Sequence, residues 1–265
     1  MEKPLVSIII TCYNQKKYIE DAVESVIAQT YPNWEAIIID DGDENIEKYL
    51  LGYLQKYQQK IRVFKGNNFG SSKARNYGAS LSDGKFLVFL DADDKIHPKY
   101  FEKAIKVFQE NPNIDIVYPD TQHFGEGTGI WISPEYDFHN LTQGNFMVIS
   151  SMIRRNAFVE VNGYDSNNFN YWEDWELWIN LGAHGHYGKH LNEILFYYRF
   201  HQDGSSESER AQKLGIIYQS YIITKFPQYY GAEVVENAKQ RLSAYPPDFM
   251  KMTPKQQAEV IIQKG

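Results

Sequence analysis

Residues 85–94, Lys-Phe-Leu-Val-Phe-Leu-Asp-Ala-Asp-Asp, constrain the fold more than any other stretch of the chain. Phe86 to Leu90 is wholly apolar, which predicts a short strand buried on both faces, as in a parallel sheet covered by helices. The run ends in three carboxylates, Asp91, Asp93 and Asp94. Ligands of open α/β sheets collect outside the carboxyl ends of the strands, and acidic groups there can hold a hard divalent cation against a phosphate. If the chain stays extended, residues i and i+2 point the same way, so Asp91 and Asp93 can share one crevice. Aspartate is also common in turns and helix caps, so the pattern takes its meaning from the rest of the chain.

Upstream, the order of elements supports such a sheet. Residues 5–11, Leu-Val-Ser-Ile-Ile-Ile-Thr, predict a buried strand, followed by a turn at Cys12, Tyr13 and Asn14. Asn14 is a candidate cap for a helix carrying Ile19, Val23, Val26 and Ile27 at three- and four-residue spacing and ending at Tyr31-Pro32. A second strand, 35–40, runs into Asp40-Asp41-Gly42-Asp43; a polar helix over 44–59 and a third strand over 61–64 follow. This βαβαβ alternation predicts a parallel sheet with right-handed crossovers. Residues 67–78 then lead into a helix bearing Lys73 and Arg75 just before the central strand.

Downstream the rhythm changes. A helix is expected over 98–110 with Pro98 near its first turn, then a strand over 114–118. Gly125, Gly127 and Gly129 between Gln122-His123-Phe124 and Ile130-Trp131-Ile132 suggest a hairpin. Residues 140–151 read as a loop leading into a strand or short helix, 171–183 as a helix with an apolar side, and 194–200 as a strand ending at His201. Polar residues 202–209 read as a mobile segment, and the remainder as helices broken at Pro227, Pro246-Pro247 and Pro254.

Composition narrows the class. Hydrophobic residues make up 43% and charged residues 23% of the 265, which describes an ordinary globular chain of one large domain or one domain with an appendage. No run has the length of a transmembrane helix and nothing before the first strand reads as a secretory signal. The single cysteine, Cys12, excludes an internal disulfide framework and suits a cytoplasmic setting. A net charge of −7 argues against nucleic-acid binding, although the seven Lys and Arg from Lys213 onward outnumber the four Asp and Glu there. That basic tail is read as a helical cover, with a peripheral membrane or partner contact as its alternative. An NAD-dependent oxidoreductase is excluded because no Gly-x-Gly-x-x-Gly follows the first strand, where the chain reads Thr11-Cys-Tyr-Asn14.

Six landmarks then appear in order: Thr11-Cys-Tyr-Asn14, Ile39-Asp-Asp-Gly42, Ala74-Arg-Asn-Tyr-Gly78, Leu90-Asp-Ala-Asp-Asp94, Gly163-Tyr-Asp165 and Trp172-Glu-Asp174. In this order the chain resembles the family-2 glycosyltransferases of GT-A fold, from about Val6 to about His201. The resemblance implies an α/β domain with a mostly parallel central sheet flanked by helices and a C-terminal helical appendage. Residues 1–97 would form the nucleotide-sugar half, 98–212 the acceptor half and 213–265 the extension. It implies an inverting, metal-dependent enzyme that moves a hexosyl or N-acetylhexosaminyl group from a UDP-sugar to a hydroxyl of a glycan or lipid-linked acceptor in polysaccharide synthesis. Sugar nucleotidyltransferases share a related architecture but need a glycine-rich, arginine-containing loop after the first strand, which this chain lacks. A catalytically inactive nucleotide-sugar-binding scaffold is the non-enzymatic alternative.

By the same resemblance, Thr11 and Tyr13 line the base pocket, Asp41 accepts from uracil N3–H, Asp91 binds ribose, and Ala92 belongs to the donor-binding motif. Asp93 would ligate Mn²⁺ or Mg²⁺, with His201 as a second approach to the metal or phosphates. Arg75 and Lys73 would add positive charge beside the diphosphate. Asp174 is the candidate general base, its proton affinity raised by neighbouring Glu173, and Trp172 a candidate acceptor contact. Asp40 and Asp94 are left between functional and capping roles. His184, His186 and His190 read as a surface turn, and two of Trp172, Trp175 and Trp178 as core.

Overall fold

The computed structural model describes residues 3–42, 45–167, 172–201, 208–252, 256–257 and 259–260. The expectations for 202–207 and for Pro254 therefore lie outside the described residues. Strand β1 (Val6–Cys12) pairs in parallel with β2 (Trp34–Asp40) and β4 (Phe86–Asp91), and β2 with β3 (Ile61–Lys65), giving the expected parallel half-sheet. Alternate residues sort to opposite faces. Ile8, Ile10, Ile38, Val88 and Leu90 join one buried cluster, and Ile9, Ile37, Ile39, Leu87 and Phe89 the other. Helices α1 (Ile19–Ile27) and α2 (Ile46–Lys56) bury Ile19, Val23, Val26, Ile46 and Leu50 against the first face, and α3 (Ser71–Ser80) packs on the second. Gly78 lets α3 approach the sheet closely, since a Cβ there would collide with Ile9.

The second half is mixed. After the two-residue β5 (Lys95–Ile96) and α4 (Tyr100–Glu110), β6 (Ile116–Gly125) turns into β7 (Gly129–Trp131), the expected hairpin. The ambiguous stretch resolves into α5 (Phe138–Gln143), an irregular loop, and β8 (Met152–Arg154), which is followed by α6 (Arg155–Glu160). Beyond them come α7 (Glu173–Ala183) and β9 (Gly188–Phe200). The strands run β3-β2-β1-β4-β8-β6-β9-β5, with β7 beside β6. Because β8 is antiparallel to both β4 and β6, and β9 is parallel to β6, the carboxyl ends of β1, β4, β6 and β9 lie along one edge. Helix α8 (Ser208–Lys225), which crosses position 213, and α9 (Ala232–Ser243) follow.

Three local expectations are corrected. Asn14 adopts φ 56° in the turn rather than capping a helix, and α1 starts only at Ile19. Strand β9 begins at Gly188, six residues before the expected Ile194, since β6 supplies a parallel partner along its length. His186 and His190 are consequently buried rather than in a surface turn: His186 Nδ1 lies 2.8 Å from Asp115 Oδ2, and His190 Nε2 lies 2.8 Å from Asp120 Oδ1. Trp175 and Trp178 are core, and Trp172 is partly buried.

Candidate active site

Strand register brings the acidic ends together. Thr11 stands opposite Asp91 and Cys12 opposite Asp40, so the ends of β1, β2 and β4 form one edge. Thr11 Oγ1 donates to Asp91 Oδ1 at 3.3 Å. Tyr13 is 57% exposed just beyond, pressed close to Gly42. Asp40 is a structural acid, buried and paired with Lys65. Asp41 is also buried, its Oδ1 accepting from the Phe69 amide at 2.7 Å and its Oδ2 from the Gly70 amide at 2.9 Å. It thereby holds the entry to α3, and burial raises its pKa while those amides oppose the rise. The uracil contact expected of Asp41 would have to use a remaining lone pair of a carboxylate already engaged. Ala92 is fully buried and its amide donates to Thr11 O at 3.2 Å, so it secures the loop by its backbone rather than offering a side-chain surface. Lys73 is partly exposed on the first turns of α3.

The chain bends after Asp91, and the three aspartates separate. Asp93 Oδ2 lies 2.8 Å from His201 Nε2, which the parallel run of β9 delivers to the same edge. Asp94 turns inward to accept from the Arg199 amide at 2.8 Å, while its Oδ2 has no hydrogen-bond partner among the described residues. Arg199 Nε in turn donates to the Asp93 carbonyl at 2.8 Å, and its guanidinium pairs with Asp21. Burial, with Asp91 as like-charged neighbour, pushes Asp93 up; burial, Asp93 and Asp91 push Asp94 well above the ordinary carboxylate range. Such an excess of confined negative charge fits a site for a cation. Asp93 offers an oxygen donor of the kind that Mn²⁺ or Mg²⁺ takes, whereas the His201 imidazole nitrogen is a donor for a transition metal such as Mn²⁺ rather than for the harder Mg²⁺. Among the described residues no set of three or more His, Cys, Asp or Glu side chains is placed to hold a metal ion.

Arg75, expected to add charge beside the diphosphate, is engaged by two carboxylates. It is buried at 4% exposure, donating from NH1 to Glu173 Oε1 at 2.6 Å and from NH2 to Asp91 Oδ1 at 2.8 Å. Its charge is thus committed to a strut between the end of β4 and the start of α7, not aimed freely at a diphosphate. The strut lies over Tyr164, whose ring centroid is 5.5 Å from the guanidinium carbon. Asn76 fixes Tyr164 by accepting from its amide at 3.0 Å and donating to its carbonyl at 2.8 Å, which explains two of the sequence landmarks at once. Gly163 before it sits at φ 68°, against Asn76, where only glycine fits without strain.

Asp174 occupies the first turn of α7. Its Oδ1 accepts from the Trp175 amide at 2.7 Å and its Oδ2 from Asn145 Nδ2 at 2.9 Å. Burial first, then Glu173, raises its pKa to about 7; the two donors and Arg75 oppose that rise. A partly accessible carboxylate with this proton affinity can take a proton near neutral pH. Trp172 is at φ 56°, packed edge-on to Trp175 at 5.3 Å and against Gly215 of α8, so its ring is largely engaged by protein. Sequence reasoning missed Asn145, Asn76, Tyr164 and Arg199 as site components. Asn76 and Tyr164 stood within landmarks, whereas Asn145 carried no local signal.

The profile described as Glycosyl transferase family 2 matches residues 7–180. An uncharacterized glycosyltransferase of Methanocaldococcus jannaschii is 29% identical over 225 residues, spanning 81% of this chain and 77% of that protein. The minor teichoic acid biosynthesis protein GgaB of Bacillus subtilis is 30% identical over 258 residues, 90% of this chain but 27% of its own length. Among solved structures, S. aureus TarS 1–349 in complex with UDP-GlcNAc has a TM-score of 0.67 at 17% identity, covering 97% of this chain and 78% of that one. The same fragment in complex with UDP gives 0.65 at 17%, covering 96% and 77%.

Proposed function

Since the chain belongs to glycosyl transferase family 2, with the GT-A fold, we propose that this glycosyltransferase moves a sugar from a UDP-sugar to a hydroxyl of a glycan or lipid-linked acceptor, with inversion at the anomeric carbon. The observation that carries the reading is the strut Asp91–Arg75–Glu173, which ties the acidic end of β4 to the helix turn holding Asp174, a carboxylate with a pKa pushed up to about 7. Donor and base sides are thereby joined across one edge. Asp174 accepts the acceptor hydroxyl proton as that oxygen bonds to the anomeric carbon, and the bond from that carbon to the diphosphate breaks on the opposite side. Asp93 and His201 would hold a divalent cation, Mn²⁺ or Mg²⁺, whose charge would stabilise the departing diphosphate. Thr11, Tyr13 and Asp91 would face the nucleoside; Thr11 donates to Asp91, and Asp41 maintains the α3 entry. Support for a uridine nucleotide comes from similarity to structures in complex with UDP and UDP-GlcNAc; support for a polysaccharide product comes from similarity to the teichoic acid protein and to a hyaluronan synthase of Pasteurella multocida.

Calorimetric titration with UDP, GDP, dTDP and CDP, each with and without Mn²⁺, tests the donor half. Metal-dependent UDP binding, lost in Asp93→Ala, is expected; no binding to any nucleotide would favour the scaffold alternative. For the acceptor half, Asp174→Asn should bind UDP like the wild type and lose transfer by a factor of about 10³ or more. Full turnover in that variant would remove Asp174 from the mechanism.

A further inference from the structure

We propose that Asn145 is a positioning residue, orienting the Asp174 carboxylate that serves as general base; the inference rests on that reading of Asp174. Asn145 lies in the irregular loop between α5 and β8, 29 residues from its partner in sequence. Its amide orientation is set from the other side: Oδ1 accepts from the Met147 amide at 3.1 Å, which leaves Nδ2 to face Asp174 Oδ2 at 2.9 Å.

The loop that carries it is itself anchored. The Phe146 carbonyl accepts from Ser133 Oγ at 2.9 Å, the Ser133 amide donates to Asp120 Oδ1 at 2.9 Å, and His190 Nε2 lies 2.8 Å from that same oxygen. Ser133, Asp120 and His190 are all buried, so Asn145 stands on a polar ladder built from β6, β9 and the segment after β7. This gives the buried Asp120–His190 pair, which the reaction itself does not employ, a place in the architecture of the site.

Asp174 is then held at both oxygens. One accepts from its own neighbour, the Trp175 amide, and the other from Asn145, so a single carboxylate rotamer is favoured with further lone pairs left for a hydroxyl. A general base has to lie within hydrogen-bond reach of the proton it takes, and small displacements are expensive in rate. The charged and titratable groups around Asp174 are Glu173 beside it on α7, Arg75 on α3 and Tyr164 after α6. Against burial and Glu173, a neutral donor at 145 stabilises the ionised form without pairing it off.

A purely structural role in the loop would require only Oδ1, for the Met147 amide. Asn145→Asp separates the two roles. It keeps an oxygen for that amide and replaces the donor facing Asp174 with a second carboxylate. The test is an NMR titration of aspartate labelled with ¹³C at the side-chain carboxyl, with the Asp174 signal assigned by its loss in Asp174→Asn. The wild type should titrate near 7. Asn145→Ala should move the midpoint up by about one pH unit and Asn145→Asp by more, with UDP binding unchanged in both. An unchanged Asp174 midpoint in a folded Asn145→Asp variant would overturn the inference even if Asp174→Asn abolishes transfer. Should Asp174→Asn retain turnover, the base reading itself fails and the positioning role falls with it. The titration needs no acceptor, so the two failures are seen in separate measurements.

Discussion

As the proposed general base, Asp174 would exchange stability for chemistry. Its folded-state pKa of about 7 lies above the ordinary aspartate value near 4, so the folded protein binds this proton more tightly than the unfolded chain. The resulting stabilisation is fully present below about pH 4 and is lost as pH rises through about 7. Asp174→Asn stays neutral throughout. Denaturant melts of variant and wild type should therefore converge near pH 4 and separate by pH 8, the variant being more stable there by about 1–3 kcal/mol. The figure is kept below the full value of the shift because the carboxylate is partly accessible to water. Catalysis has the opposite dependence: a base is competent when ionised, so turnover should rise with pH through about 7. A turnover profile flat from pH 5 to 8 would contradict the role.

At the scale of elements, the strut decides how β4 and α7 meet. Arg75 reaches both from α3, and its two partners are 16 and 98 residues away in sequence. Removing the guanidinium would leave Glu173, 8% exposed and beside Asp174, without its ion pair, and would strip Asp91 of its own. Arg75→Ala should destabilise the protein by about 3–5 kcal/mol, as for other broken buried pairs. Arg75→Lys should rescue only part of this, because one ammonium cannot reproduce a forked contact to two carboxylates. Urea unfolding distinguishes these expectations from a surface role, for which both variants would lie within about 0.5 kcal/mol of wild type. The existence of the elements was legible from periodicity, since alternating Ile, Val, Leu and Phe in β1, β2 and β4 match the two buried faces. Arg75 was legible as a site residue but not as a strut. Basic residues near a diphosphate site and basic residues bracing carboxylates have the same local sequence appearance.

Over the whole molecule, helix α8 is tied to α7 and to the loop after α6 by an ionic junction in which an exposed lysine reaches two largely buried carboxylates. Lys225 at the end of α8 lies 2.6 Å from Asp165 and 2.8 Å from Glu176, and Tyr221 also donates to Asp165. Glu176 is fully buried on α7, two residues beyond Asp174, and burial raises its pKa while Lys225 opposes that. Lys225→Met should destabilise the fold by about 2–4 kcal/mol, and adding Glu176→Gln should recover a measurable part, since the second change removes the stranded charge. Strict additivity in this double-mutant cycle would show that the two groups do not interact. Ile222 of α8 and Phe226 just after it join the same apolar cluster as Trp175 and Trp178, so this helix is a wall of the core behind α7. Among the described residues no helix is long and apolar enough to cross a membrane.

The sequence by itself determined the alternation of buried strands and amphipathic helices, and it placed Thr11, Asp40, Asp41 and Asp91 at strand ends that register aligns on one edge. Those features depend on period and on short-range order, which a linear chain displays directly. Only the tertiary structure decided that Asp94 turns inward, that Arg75 joins β4 to α7, that His190 is buried against Asp120, and that Asn145 meets Asp174. Each of these is a contact between distant segments whose polar groups had to find partners once packing removed water. Which partner a group finds follows from the meeting of surfaces, and no local pattern encodes it.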